Sequence, residues 1–179
     1  MTETAHVPNK QDAQESSTKE SDPKRPRPAK RKSSRRRARE FAVQGLFQWQ
    51  LNQETGQGIA LFLKESSPYF VKADQSLFQA IFFGCLREMS VLQAQLIPHL
   101  DRPEAEVSPV EKAILFTAAY ELMYMPETPY AVVLNEAIEL AKTFGGTDGH
   151  KFVNGILDKI AVEVRTVEAK MSRDKHKNG

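Results

Sequence analysis

The stretch RRRAREFAVQGLFQWQ, Arg35–Gln50, opens on arginines and runs into a regular apolar repeat. Ala38, Phe41, Ala42, Gly45, Leu46 and Trp49 stand at i, i+3, i+4, i+7, i+8 and i+11. That spacing lines one face of an α-helix. The same period recurs toward the C-terminus. A second helix is expected over Ile59–Lys64, and a long third from about Ala73 to Ile97, ended by Pro98. Ser108-Pro109-Val110-Glu111 reads as a capping box, with Ser at the N-cap and Glu at the third helical position, opening a helix through Met125. Thr128 and Pro129 repeat the cap-plus-proline start for a helix to Phe144. Gly145-Gly146 should stop it by supplying a left-handed residue. A last helix begins near Asp148 and carries Val153, Ile156, Leu157, Ile160 and Val164 on one side. No alternating run or Asn-Gly hairpin signals a strand. The expectation is an all-α domain of six or seven helices over residues 35–167.

Apolar residues make up 40% of the 179-residue chain, enough for a core only because they are concentrated after Glu40. Before it, Val7 is the one large apolar side chain besides Met1. Residues 1–34 are polar and interrupted by Pro8, Pro23, Pro26 and Pro28, so they are expected to be disordered. The last residues, 168–179, are expected to form a disordered tail. The net charge of +2 conceals an asymmetry: residues 1–39 hold 12 Lys/Arg against 5 Asp/Glu, whereas the rest holds 13 against 18. A basic arm on a mildly acidic body points to an anionic partner met at one place, most commonly nucleic acid. The run KRPRPAKRK, Lys24–Lys32, is either a solubilising tail or an electrostatic arm without sequence specificity.

Enzymatic signatures are missing from the sequence. His6, His99, His150 and His176 are scattered and, with the single Cys85, offer no metal-ligand spacing, so no metal or other cofactor is expected. Gly145-Gly146 lacks the Lys-Ser/Thr ending of a phosphate loop, and no nucleophile motif occurs. Glu136 and Glu139, at i and i+3, read as a solvated helix face. The lone Cys85, within IFFGCL, reads as a buried small hydrophobe and excludes an intrachain disulfide. With no apolar run of membrane-spanning length and no secretory signal, the cytoplasm is the expected location.

On a helical wheel, Arg36, Arg39, Val43 and Phe47 fall opposite the apolar face of the first helix. An aromatic on an arginine stripe suits single-stranded RNA, with guanidinium groups for phosphates and a ring for an unstacked base. The other reading of Phe47 is packing against a neighbouring helix. Phe152 lies about 100° from the apolar stripe of its helix, beside Asp148, His150 and Lys151 at the helix N-terminus. It reads as a second aromatic contact or as a residue at the core edge, and Asp148 as an N-cap.

RRRAREFAVQGLFQWQ (Arg35–Gln50), VEKAILFTAAYEL (Val110–Leu122) and PYAVVLNEAIELAKTFGGTDGHKFVNGILDKIA (Pro129–Ala161) closely resemble the NusB family of bacterial transcription antitermination factors. The likeness covers roughly residues 35–161, is loose over Gln53–Asp74, and leaves residues 1–34 unmatched. It implies two packed helical bundles and a non-enzymatic protein. It also implies a heterodimer with NusE, the small-subunit ribosomal protein, that binds the single-stranded boxA element of ribosomal RNA leaders. The pair would join RNA polymerase with the other Nus factors. Carried over residue by residue, the RNA contacts would be Arg36, Arg37, Arg39, Phe47, Asp148, Lys151 and Phe152, and the partner contact Glu111. At Phe47 the family is expected often to have Tyr. Two alternatives share the pattern. A ribosomal RNA cytosine methyltransferase with such an N-terminal domain would need a large cofactor-binding domain after it, and the sequence stops at Gly179. A helical protein-interaction module with non-specific RNA affinity would use its basic arm for solubility.

Overall fold

The computed structural model describes residues 32–167. The disorder expected of residues 1–34 and 168–179 lies outside the described residues except at residues 32–34, where Ser33 caps the first helix and Ser34 begins it, which corrects that boundary. Among the described residues seven α-helices follow one another: α1 (Ser34–Asn52), α2 (Gly56–Ser66), α3 (Gln75–Arg87), α4 (Met89–Leu96), α5 (Pro109–Tyr124), α6 (Tyr130–Phe144) and α7 (Gly149–Val164). There is no strand among the described residues. Helix α1 packs with α2 and α3, and α6 with α7. Helix α5 joins the two groups, touching α1, α3, α4, α6 and α7. Ten consecutive residues of α5, Ala113–Leu122, are buried as a result.

Local chemistry sets the helix starts. Ser33, Thr55, Asp74 and Ser108 each accept a backbone N–H of the first turn of α1, α2, α3 and α5. At Ser108 the capping box is one-sided. Its hydroxyl accepts the Glu111 N–H and donates to the Glu111 carboxylate, 2.9 Å away, so Glu111 does not reach back to the Ser108 backbone. Thr128 departs from expectation. Its hydroxyl makes no cap and is buried without a partner among the described residues, and α6 starts on Pro129 alone.

Packing decides the rest. The single long helix expected over Ala73–Ile97 is broken at Glu88, and the axes of α3 and the α4 segment diverge by 77°. The bend sends α3 against α1 and α5 and lets Leu92 and Leu96 of α4 enter the core. Neither proline nor glycine stands at the break, so periodicity runs through it unmarked. Gly145 ends α6 with φ −84°, not left-handed, which corrects the expectation for Gly145-Gly146. A side chain there is excluded instead by the Ala141 carbonyl, 2.6 Å from where a Cβ would stand. Gly84 is needed because α3 and α5 nearly touch: a Cβ would fall 2.2 Å from the Tyr120 ring. An aromatic chain, Phe41–Phe70–Phe78–Phe82–Phe83, fills the α1–α3 side with centroid spacings of 4.9 to 5.4 Å. Cys85 is buried, as expected, and burial pushes its thiol pKa well up. No single described helix is long and apolar enough to cross a membrane.

Candidate nucleic-acid interface

The wheel places Arg36, Arg39 and Val43 on an open face of α1, and the structure does not. Helices α3 and α5 cover α1 from different sides, so Val43 is buried and Arg39 is only 3% exposed. Arg39 donates from Nε and Nη2 to the two carboxylate oxygens of Glu121 on α5, each at 2.7 Å. Glu121 itself is 1% exposed. Desolvation lowers the Arg39 pKa, but the hydrogen bonds and charge of Glu121 outweigh it and the net shift is upward. This is a fork-on-fork ion pair in the interior, so Arg39 is withdrawn as an RNA contact.

Arg36, one turn earlier, is intermediate. Its Nε and Nη2 meet the two oxygens of Glu136 on α6 at 3.0 and 2.8 Å, and Nη1 lies 3.8 Å from Glu139. Glu136 and Glu139 are therefore ion-pair partners of α1, not merely a solvated face. The Arg36 hydrogen bond holds the Glu136 carboxyl below its ordinary pKa, and Glu136 in turn raises that of Arg36. The Arg36 side chain remains 31% exposed, so an anion can reach it. Arg37 points elsewhere, toward Tyr69. Phe47 is partly buried and packs against the core, which favours the structural reading of that ring.

A second cluster forms at the start of α7. Asp148, Lys151, Phe152 and Glu111 line one cleft of about 480 Å³, together with Asp101, Arg102, Gly146, Thr147 and Gly149. The residue expected to meet the partner thus sits among those expected to meet RNA. Asp148 occupies the N-cap position, but its side chain makes no cap. It is exposed and lies 3.2 Å from the equally exposed Lys151 ammonium. Such a pair holds its charges loosely and leaves both open to another ligand. Gly149 is buried against Glu111, whose Oε1 would be 3.2 Å from a Cβ there. Phe152 is half-buried at the core edge, and Arg102 lies over its ring, 4.5 Å from the centroid. Arg102 also pairs with Asp101 at 2.8 Å, which lowers the Asp101 pKa.

Sequence reasoning missed Arg102, Glu121 and Arg165. Arg102 sits in the irregular segment before α5, where no period marks a face. Arg165, just after α7, is 8% exposed and donates to the carbonyls of Glu121, Leu122 and Met125 at 2.8 Å, satisfying the end of α5. The Thr128 carbonyl also accepts from it. Neither the Arg165 nor the Glu121 role has a local signal, because their partners lie 43 and 82 residues away. Among the described residues, no group of three or more His, Cys, Asp or Glu is placed to hold a metal ion.

With this geometry in hand, the model of the NusB family matches residues 36–162. A transcription antitermination protein NusB of Chromobacterium violaceum is 52% identical over 146 residues, covering 82% of this chain and 98% of that protein. Its counterpart from Ralstonia nicotianae is 49% identical over 156 residues, covering 87% and 99%. Among solved structures, T. maritima NusB aligns with TM-score 0.66 at 29% identity, over 78% of this chain and 99% of that one. A structure of antitermination factors NusB and NusE in complex with double-stranded RNA aligns with TM-score 0.62 over 73% and 97%. At 19% identity, that last likeness speaks for the fold alone.

Proposed function

The chain belongs to the NusB family, and from that premise we propose that it is a non-enzymatic transcription antitermination factor. In this reading it binds single-stranded boxA-type RNA of ribosomal RNA leaders together with NusE. It works in the cytoplasm and joins RNA polymerase with the other Nus factors. The observation that carries the reading is coverage: the match spans 98% of an antitermination protein at 52% identity. RNA phosphates meet Arg36, Arg37 and Lys151, and the Phe152–Arg102 stack offers a flat surface to a base. Asp148, loosely paired with Lys151 in the same cleft, stays open to a further RNA contact. Glu111, which lines the same cleft, meets NusE, so RNA and partner are read side by side. Arg39 contributes by fixing α1 on α5, and Phe47 at most by an exposed edge. Residues 1–34 add charge without specificity.

The test is a titration of boxA-like against scrambled RNA at several salt concentrations, with and without NusE. The expected result is tighter binding of the boxA-like RNA when NusE is present. A steep salt slope with no sequence preference would instead assign the chain as a protein-interaction module with non-specific RNA affinity. No binding of either RNA with NusE present would end the RNA reading.

A further inference from the structure

Most cations of the proposed interface already have an acidic partner. Arg36 has Glu136, Arg102 has Asp101 and Lys151 has Asp148. Arg37 and Lys72 differ. Neither makes an ion pair among the described residues, and both lie over one aromatic ring. The Arg37 guanidinium is 5.8 Å and the Lys72 ammonium 5.4 Å from the centroid of Tyr69, and Tyr69 is 58% exposed.

The ring is exposed for a structural reason. Phe70, its neighbour, is 4% exposed and packs edge-on against Phe41 and Phe78, which forces Tyr69 outward. The Asp74 N–H donates to the Ser34 carbonyl at 3.0 Å, tying the segment to the first turn of α1. Pro68 restricts the chain on the other side, and the Tyr69 N–H donates to Ser67 Oγ at 3.3 Å. Tyr69 thus presents an exposed ring with two unneutralised cations beside it at the arginine-led end of α1.

We propose that Tyr69, flanked by Arg37 and Lys72, is a stacking platform for one unpaired nucleobase of single-stranded RNA, with the two cations taking the adjoining phosphates. The exposed aromatic face favours RNA over a protein partner, because it accepts any base while the two cations beside it can meet the adjoining phosphates. Tyr69 and Lys72 lie within Gln53–Asp74, the stretch that resembles the NusB family only loosely, whereas Arg37 lies in the closely resembling Arg35–Gln50 block. The inference rests on the RNA reading above and extends the bound strand beyond the α7 cleft.

The experiment measures binding of labelled boxA-like RNA to the full chain with NusE, for the wild type and for Tyr69→Ala, Tyr69→Phe, Lys72→Ala and Phe152→Ala. Tyr69→Ala is expected to weaken binding on the order of tenfold, and Tyr69→Phe to stay within about twofold, since the ring remains. Lys72→Ala should lower the salt slope by about one. Lys72 is exposed and outside the core, so this variant tests the site even where Tyr69→Ala perturbs folding. The platform is overturned if Tyr69→Ala and Lys72→Ala bind like wild type while Phe152→Ala binds weakly, an outcome that leaves the RNA reading intact. Weakened NusE binding by Tyr69→Ala at unchanged RNA affinity would equally overturn it, in favour of a protein contact. Absence of RNA binding by the wild type would instead strike the underlying reading.

Discussion

The arginine-led end of α1 and the start of α7 are opposite ways of handling charge. On α1, Arg36 and Arg39 are consumed by carboxylates from α6 and α5, and they tie α1 to both helices. At α7 there are fewer charges, but Lys151 and Asp148 are open to solvent and a cleft lies beside them. Counting arginines therefore overstates the charge left open in the first region and understates that in the second. What matters is whether a cation still needs a partner after the helices have packed.

The strongest way to break this contrast is Glu121→Ala. It removes the bidentate partner of the buried Arg39 guanidinium, leaving only the Glu136 carboxylate at 4.0 Å, and is expected to cost about 3 kcal/mol in denaturant unfolding. Replacing Arg39 and Glu121 together with Met and Leu should restore most of the loss. A deficit of less than about 1 kcal/mol for Glu121→Ala would show that Arg39 finds solvent, reviving it as a surface residue.

Phe152→Ala sharpens the other side. The ring is half-buried, so its removal should cost about 1–2 kcal/mol, well short of a full core deletion. RNA affinity should fall further than that stability loss accounts for in a fully folded sample. Unchanged RNA binding alongside a large fall in melting temperature would return Phe152 to the core.

The smallest expected effect on stability is that of Glu136→Gln. Glu136 has a depressed pKa in the folded protein, below its ordinary 4.5. Its contribution is therefore complete above that ordinary value and is lost as pH falls through the depressed one. The variant should lose under about 1 kcal/mol at neutral pH, because the pair is partly open to solvent. It should also show a shallower fall in stability under acid than the wild type. Freed of its partner, Arg36 should take RNA more tightly, with a salt slope steeper by up to about one. A variant whose acid sensitivity matches the wild type would remove Glu136 as the partner that matters.

Much of this was legible locally. Ser108 caps α5 as its Ser-Pro-x-Glu pattern predicts and the apolar spacing of α7 identifies its buried face, whereas the caps at Ser33, Thr55 and Asp74 were not marked by that spacing. The Asp148, Lys151 and Phe152 neighbourhood was visible because all three residues lie within one turn of each other. The break at Glu88 was not, since the apolar run continues through it, and the unused Thr128 hydroxyl was not, since a cap signal does not guarantee a cap.

By itself, then, the sequence determined an all-helical chain, its principal helix starts, and a likeness strong enough to name a family. These depend on spacing, capping and local composition, which act over a few residues. Only the tertiary structure decided which arginines of α1 remain available. Arg39 and Arg36 look alike three residues apart, and what separates them is the carboxylate each meets 82 or 100 residues away and the water that packing removes around it.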